Sequence, residues 1–322
     1  MATYKEIHGI KVQYRDSDAT AVEGDVWYNS KTGHLKMYSS SGAWASGGNL
    51  NDGQDAVGHC GTQTACMQFG GRSVTTDSES YDGTSWTETN ALPANASFNA
   101  GFGTTAAAIS AGGDPRVTGV DTWDGTNWTE GNAINTGRQQ MCGVGTQTAG
   151  FIVGGTNVPG DSALVEQYDG TNWTEIADLN TGRGASANSG TTAGALMIAG
   201  GPGNGLAIVE SWNGTSWTEV GDVNTLRANP AGGGATNTAA VVAAGITSPS
   251  EALTANAETW DGSSWTEVAN VSTTREMLGS GQAGPSSASI IFGGVNPGAA
   301  TTKLTATEEW TISATVETIA FD

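Results

Sequence analysis

Short apolar runs alternate with Gly-rich breaks along this chain, and the spacing of a long amphipathic helix is absent. Residues 139 to 180 show the unit. Gln140–Gly145 is extended and small-residue-rich, Thr148–Val153 is an apolar run that stops at Gly154-Gly155, and Leu164–Tyr168 alternates. Asp169-Gly170 is a hairpin turn, and Trp173-Thr-Glu-Ile opens a fourth run. The phrase Asp-Gly-Thr-Ser/Asn-Trp-Thr-Glu returns around Trp86, Trp128, Trp173, Trp217 and Trp265, with Asn213 and Ser263 as variants. These tryptophans are 42, 45, 44 and 48 residues apart, a period that marks repeated supersecondary units. Four antiparallel strands per period predict the blade of a β-propeller, and the fold class is all-β.

Paired glycines punctuate the repeats at Gly70-Gly71, Gly112-Gly113, Gly154-Gly155, Gly200-Gly201 and Gly293-Gly294, with Ala244-Gly245 as the weak copy. They predict positive φ or close packing near an axis. The result is six near-complete repeats, at about 55–96, 97–138, 139–183, 184–227, 228–275 and 276–322. A partial repeat, 24–54, precedes them: His34–Trp44 aligns Tyr38 and Trp44 with the aromatic-turn-Trp hairpins. The last repeat lacks the Asp-Gly turn, and Glu317–Asp322 could be a closing strand. The expectation is a propeller of four-stranded antiparallel blades over 24–322, seven in number with six as the alternative, preceded by an N-terminal attachment segment, 1–23.

Gly supplies 48 of 322 residues, a content that could signal disorder, but 11 regularly placed tryptophans and the apolar runs argue for packed sheets. The formal net charge is −20, which argues against nucleic acid and anionic membrane surfaces as partners. Residues 1–9 hold no apolar signal-peptide core, and no run is long enough to span a membrane. Three cysteines, Cys60, Cys66 and Cys142, lack metal-ligand spacing and imply no disulfide framework.

A strand ending in Gly-Gly, then an aromatic, then Trp, then Arg ten residues later resembles the kelch repeat over roughly residues 24–322. The Arg positions are Arg138, Arg183, Arg227 and Arg275, with Gln54 and Ala96 in the same slot of the earlier units. A narrower stretch, Val22-Glu-Gly-Asp-Val-Trp-Tyr-Asn-Ser-Lys-Thr-Gly-His-Leu-Lys-Met-Tyr38, is similar to the N-terminal segment of bacteriophage virion appendage proteins. Trp44–Asn51 and Gly61–Ala65 resemble kelch-type proteins of marine phages. The resemblance implies a non-enzymatic structural protein of a virion, in a tail, fibre or head appendage, made in the host cytoplasm. It also implies several copies per particle, an oligomer as one form of them, and virion proteins or a host-surface glycan or protein as partners.

Enzymatic readings find little support. A copper oxidase site needs imidazole and phenolate or thiolate ligands together, and the chain has only His8, His34 and His59. His59-Cys60 alternate across a strand and so cannot share one metal. A glycosidase needs a tuned carboxylate pair, whereas the Glu of Trp-Thr-Glu repeats in unit after unit and reads as an exposed outer strand. No cofactor, metal or catalytic residue is therefore expected, and the repeated Arg reads as a hydrogen-bonding element of the frame. Asn-x-Ser/Thr sites such as Asn172 read as turns. From paired Gly to the next aromatic the spacing is 10, 10, 13, 11, 15 and 16 residues, while Trp to the Arg slot is 10 throughout. Variation confined to one loop per unit marks a candidate binding face. Its candidate contact residues are Arg72, Arg116, Asn157, Asn204, Ser250, Asn296 and Lys303. A lectin outside any virion is the alternative function.

Overall fold

The structure, a computed structural model, describes residues 12–18, 25–72, 76–115, 117–157, 160–201, 205–247, 252–296 and 303–319. The chain divides into two compact units: Met1–Ala43 with Thr311–Asp322, and Trp44–Trp310. All regular structure in the described residues is β.

The smaller unit starts with β1 (Gln13–Arg15), β2 (Val26–Asn29) and β3 (His34–Ser46). β1 runs parallel to β2, and β2 pairs antiparallel with β3. Its core is one residue deep. Trp27 is fully buried, its indole N–H donates to Asp18 Oδ1 at 3.0 Å, and the Arg15 guanidinium lies 5.1 Å from its ring. The final strand β28 (Thr307–Thr318) pairs with β3; residues 311–318 belong to this unit and 307–310 to the larger one.

Five four-stranded antiparallel sheets follow β3 in chain order, each a meander. The first is β4 (Gly58–Thr62), β5 (Ala65–Phe69), β6 (Ser78–Tyr81) and β7 (Trp86–Glu88). The second is β8 (Ala100–Thr104), β9 (Ala107–Ala111), β10 (Val120–Trp123) and β11 (Trp128–Glu130). β12 (Cys142–Thr146), β13 (Ala149–Val153), β14 (Val165–Tyr168) and β15 (Trp173–Glu175) form the third. The fourth comprises β16 (Ala187–Thr191), β17 (Gly194–Ile198), β18 (Val209–Trp212) and β19 (Trp217–Val220). In the fifth, β20 (Ala231–Thr236) and β21 (Ala239–Ala243) lead through a small hairpin, β22 (Ile246–Thr247) and β23 (Ala252–Leu253), to β24 (Ala257–Trp260) and β25 (Trp265–Val268). β26 (Gly279–Ser280) and β27 (Ala288–Phe292) then precede β28 in the sixth. The four-part unit expected between 139 and 180 is therefore the third sheet, strand for strand. The architecture is β-propeller-like.

Among the described residues, six sheets carry four or more strands, and 24–54 builds none of its own. β3 is one uninterrupted strand, where the alignment of Tyr38 and Trp44 predicts a hairpin. The physical reason is the lack of an Asp-Gly turn between them and the presence of a free partner: the 307–310 stretch of β28 would otherwise end the sixth sheet as an unpaired edge. Gly47 N–H donates to Thr307 O at 3.0 Å, and Trp44 meets Trp310 with ring centroids 5.5 Å apart. The same aromatic pair occurs in the other sheets, Tyr81–Trp86 through Trp260–Trp265, at 4.8–5.4 Å. Trp44 is thus the sixth repeat's fourth-strand tryptophan, delivered from the other end of the chain; of the expected closing strand 317–322, residues 317–318 end β28 in the smaller unit and 320–322 lie outside the described residues. The part of β3 up to Ala43 pairs with the 311–318 part of β28 within the smaller unit.

The core lies between sheets. Four fourth-strand tryptophans pack against an aromatic of the preceding sheet: Trp128 on Phe69, Trp173 on Phe102, Trp217 on Phe151, and Trp86 on Phe292 across the closure, with centroids 4.7–6.2 Å apart; Trp265 packs with Leu196 and Ile198 instead. Edge-to-face contacts of this kind add to area burial. The next two residues, Thr-Glu, are exposed, as expected for an outer strand. All three cysteines are free and buried.

Trp173 is 7% exposed and belongs to a cluster with Ala100, Phe102 and Ile109 of the second sheet. Trp173→Ala is expected to cost about 3–5 kcal/mol in a urea melt. A loss below about 1 kcal/mol would mean the inter-sheet contact contributes little.

Candidate functional site

The site is built where each repeat begins. After its fourth-strand Trp, the chain crosses to the next sheet and enters the inner strand through a residue with left-handed backbone: Ala56, Phe98, Gln140, Ala185, Asn229 and Met277, with φ between +52° and +58°. Non-Gly residues adopt that conformation only when their surroundings compel it. The compulsion is a closed cycle of backbone hydrogen bonds around the axis. Ala56 N–H donates to Met277 O (2.9 Å), Met277 to Asn229 (3.3 Å), Asn229 to Ala185 (2.8 Å), Ala185 to Gln140 (3.1 Å), Gln140 to Phe98 (2.8 Å), and Phe98 to Ala56 (2.8 Å).

A second tier fixes the loops. The last Gly of each paired site donates to the carbonyl in the Arg slot: Gly71 to Ala96, Gly113 to Arg138, Gly155 to Arg183, Gly200 to Arg227, Gly245 to Arg275, and Gly294 to Gln54, at 2.7–2.9 Å. The following residue donates to the carbonyl one position beyond the preceding slot: Arg72 to Asp55, Thr156 to Gln139 and Val295 to Glu276. The second-to-third-strand loops therefore stand at the same end as the cycle. The fourth paired site is Ala199-Gly200, one residue earlier than Gly200-Gly201: strand β17 ends at Ile198, so Ala199 is the aligned position. The first position of each pair has φ of 56–71°, which Ala can adopt, and Ala fills it at 199 and 244. The second has φ of 87–136°, and a Cβ on Gly245 would sit 2.6 Å from Ala228 O, so only Gly serves there.

The slot arginines are fully buried and paired. Arg138 meets Glu166, Arg183 meets Glu210, Arg227 meets Glu258 and Arg275 meets Glu308, at 2.5–2.8 Å. Arg138 also donates to the carbonyls of Thr136, Gly154 and Leu164, while Glu166 accepts from Asn135 and Thr136. The repeated Arg thus ties the crossing segment to the sheet it enters. Two repeats lack it. With Gln54 in the slot, burial pushes the Glu79 carboxyl up; with Ala96 in the slot the acid is Asp121, pushed up by burial and by Glu130. In contrast, hydrogen bonds from Asn180 and the Arg183 charge outweigh burial and hold Glu210 low.

Side chains of the six cycle residues line an axial funnel of about 80 Å³, smaller than an ordinary small-molecule site. Deeper in it, Gln282 lies 2.8 Å from His59 Nδ1 and 3.3 Å from Asn188 Nδ2, forming a polar bar across the funnel. Asn99 Oδ1, buried in the wall, has no hydrogen-bond partner among the described residues. Burial lowers His59 to about 4 and raises Cys142 to about 12. The imidazole stays neutral and the thiol keeps its proton at neutral pH, so neither is poised for base or nucleophilic chemistry. Next to the funnel lies a depression of about 260 Å³ that includes Thr156, Asp161 and Asn229, and burial raises Asp161. Among the described residues no cluster of three His, Cys, Asp or Glu could hold a metal ion.

Of the seven contact candidates, Arg72 and Lys303 come together. Both reach the buried Asp55 carboxylate, at 2.6 Å and 2.9 Å, from the loops of the first and sixth sheets. They lock the ring's closure, although Arg72 is 44% exposed along its side chain. Asn296 donates to Thr274 O, and Asn157 N–H donates to Gly160 O within its own loop. Arg116, Asn204 and Ser250 lie outside the described residues. Every described Lys or Arg within 44–310 is in an ion pair, so this unit presents no free cation among them. Sequence reasoning missed the cycle residues. Their signal was positional: two after the slot the repeats read Ala, Phe, Gln, Ala, Asn, Met, while the slot neighbours recur.

No family model matches the chain, and no curated protein does. Among solved structures, one described as the structure of YjhT matches with a TM-score of 0.70 at 14% identity, covering 84% of this chain and 99% of that one. The likeness is one of fold.

Arg138→Met should cost about 3–5 kcal/mol in a denaturant melt, because it strands the Glu166 charge. Adding Glu166→Gln should recover part of that loss; no recovery would show that the guanidinium acts by packing alone. The pH dependence has opposite signs at two acids. The raised Glu79 favours the folded state when protonated, and that contribution is lost as pH rises through its folded pKa. The lowered Glu210 stabilises above its unfolded pKa, and that is lost as pH falls through its folded pKa. At pH 7, Glu79→Gln should therefore leave the melting temperature unchanged or higher, and Glu210→Gln should lower it. The reverse order would refute the assignment.

Proposed function

We propose that the chain is a six-bladed, kelch-like β-propeller and a non-enzymatic structural protein of a bacteriophage particle, set in a tail, fibre or head appendage. The observation that carries the contact role is the asymmetry of the ring: a frame whose strands and axial hydrogen bonds recur, with length variation gathered in the loops around one axial opening. Loops of this kind are where a rigid scaffold places recognition. The virion assignment itself rests on the resemblance of 22–38 to phage appendage segments. The partners in this reading are other virion proteins and a host-surface glycan or protein. The acidic propeller, with its described cations consumed in ion pairs, supports a partner other than nucleic acid. Weak contacts per loop would be multiplied by copies on one particle. Burial of the funnel's His and Cys supports the absence of catalysis.

The unpartnered Asn99 oxygen in the funnel wall favours a second reading, a propeller lectin working outside a virion. Mass spectrometry of purified particles from the source separates the two. The chain should appear among the virion proteins; its absence from particles, with glycan binding by the isolated protein, would replace the first reading by the second.

Shortening the loops at 246–258 and 295–308 to the ten-residue spacing, with Lys303 kept on Asp55 and Glu258 and Glu308 kept on their arginines, should leave the melt unchanged and abolish adsorption or assembly. Normal adsorption by the trimmed phage would move the contact surface elsewhere. The isolated protein should turn over neither glycosides nor galactose; turnover lost on a single point substitution would make it an enzyme.

A further inference from the structure

One sheet edge in this protein is unlike the others. The outer strands β7, β11, β15, β19 and β25 are three or four residues long, and each exposes a Glu. Short, charged edges resist pairing with another chain. Residues 312–318 of β28, in the smaller unit, read Ile-Ser-Ala-Thr-Val-Glu-Thr, with no Pro, Gly or Lys and a single acid. Among the described residues only β3 pairs with this stretch, because β27 flanks the other end of β28.

The direction of its backbone groups follows from the hydrogen bonds. Ile319 N–H donates to Leu35 O and Thr307 O accepts from Gly47, so odd-numbered residues face β3. On the opposite side, Ala306 O accepts from Gly293. Ile312, Ala314 and Val316 therefore aim N–H and C=O away from β3, as a template for a further strand.

The sequence of that edge matches itself. Laid antiparallel on a copy with the two-fold axis at Ala314, Ile312 faces Val316, Ser313 faces Thr315 and Thr311 faces Glu317, while small Ala314 meets its own equivalent. Apolar and hydroxyl cross-strand pairs of this kind stabilise a sheet, and no like charges are opposed. The charge distribution selects the same place. Residues 1–43 and 311–322 carry five Lys or Arg against seven Asp or Glu, whereas 44–310 carry seven against 25. Two such chains repel least where the smaller units meet.

We propose that two copies of the chain associate through β28, antiparallel over residues 312–316, on a two-fold axis at Ala314. The contact is isologous, so it closes as a dimer. It stands apart from the virion reading and holds whether or not that reading does.

Light scattering and sedimentation of the full chain should give twice the 32.6 kDa chain mass at micromolar concentration. Ala314→Cys should form a disulfide-linked dimer under mild oxidation, since the three native cysteines are buried. Ala314→Pro and Val316→Pro each remove an outward N–H and no bond to β3, as edge strands allow. Both should raise the dimer dissociation constant roughly tenfold or more with an unchanged melt. If proline disturbs folding, Ala314→Lys decides, because it sets two cations together on the axis without altering the backbone. A monomeric wild type, a dimer insensitive to these substitutions, or no cross-link through Ala314→Cys would each overturn the proposal.

Discussion

A ring of antiparallel sheets has one point where the chain cannot hand on from one sheet to the next, and the last sheet there needs a strand from elsewhere. β3 supplies it. Its Gly47 amide and Trp44 ring complete the sheet that begins with β26 and β27, and the first tryptophan after it, Trp86, packs on Phe292 across the join. Gly294 then donates to Gln54 and Ala56 to Met277, so both tiers of axial hydrogen bonds close at the same place. The salt bridges of Asp55 with Arg72 and Lys303 hold the loops over it. Without the β3 pairing, 307–310 would be an open edge and six left-handed residues would lose the cycle that holds them.

The buried Arg–Glu pairs explain why a Gly-rich chain keeps a defined shape. Each guanidinium satisfies carbonyls that the crossing segment and strand ends would otherwise leave orphaned, and each carboxylate gathers amides from the same crossing. Isolated buried charges would be costly, so the two halves of the pair come as a set. Where Ala96 replaces Arg, the acid opposite shortens to Asp121; where Gln54 replaces it, Glu79 is left with a raised pKa. Chemistry that varies among repeats is carried elsewhere, at the cycle residues and in the loops.

That separation of frame from variation suits the proposed role. The frame spends its cations internally, which leaves 44–310 acidic, and the near-neutral smaller unit is where a second copy can approach. A chain that presents recognition loops on one unit and pairs through another is suited to multivalent display.

Strand identity, the four-strand repeat, the Asp-Gly turns and the slot Arg as a hydrogen-bonding element of the frame were legible in the sequence, because each depends on residues within one repeat. Asp82, Asp124 and Asp169 cap their own turns, and the paired Gly announces a backbone that few other residues adopt. The number of sheets was not legible, because Tyr38–Trp44 and an aromatic hairpin look alike over seven residues and only pairing with β28 distinguishes them. The shared destination of Arg72 and Lys303 on Asp55 was not legible either: Lys303 and Asp55 are far apart in the chain, and ring closure alone brings them together. Local chemistry determined what each repeat is; tertiary closure decided how many sheets there are, which end completes the last, and which side chains meet at the axis.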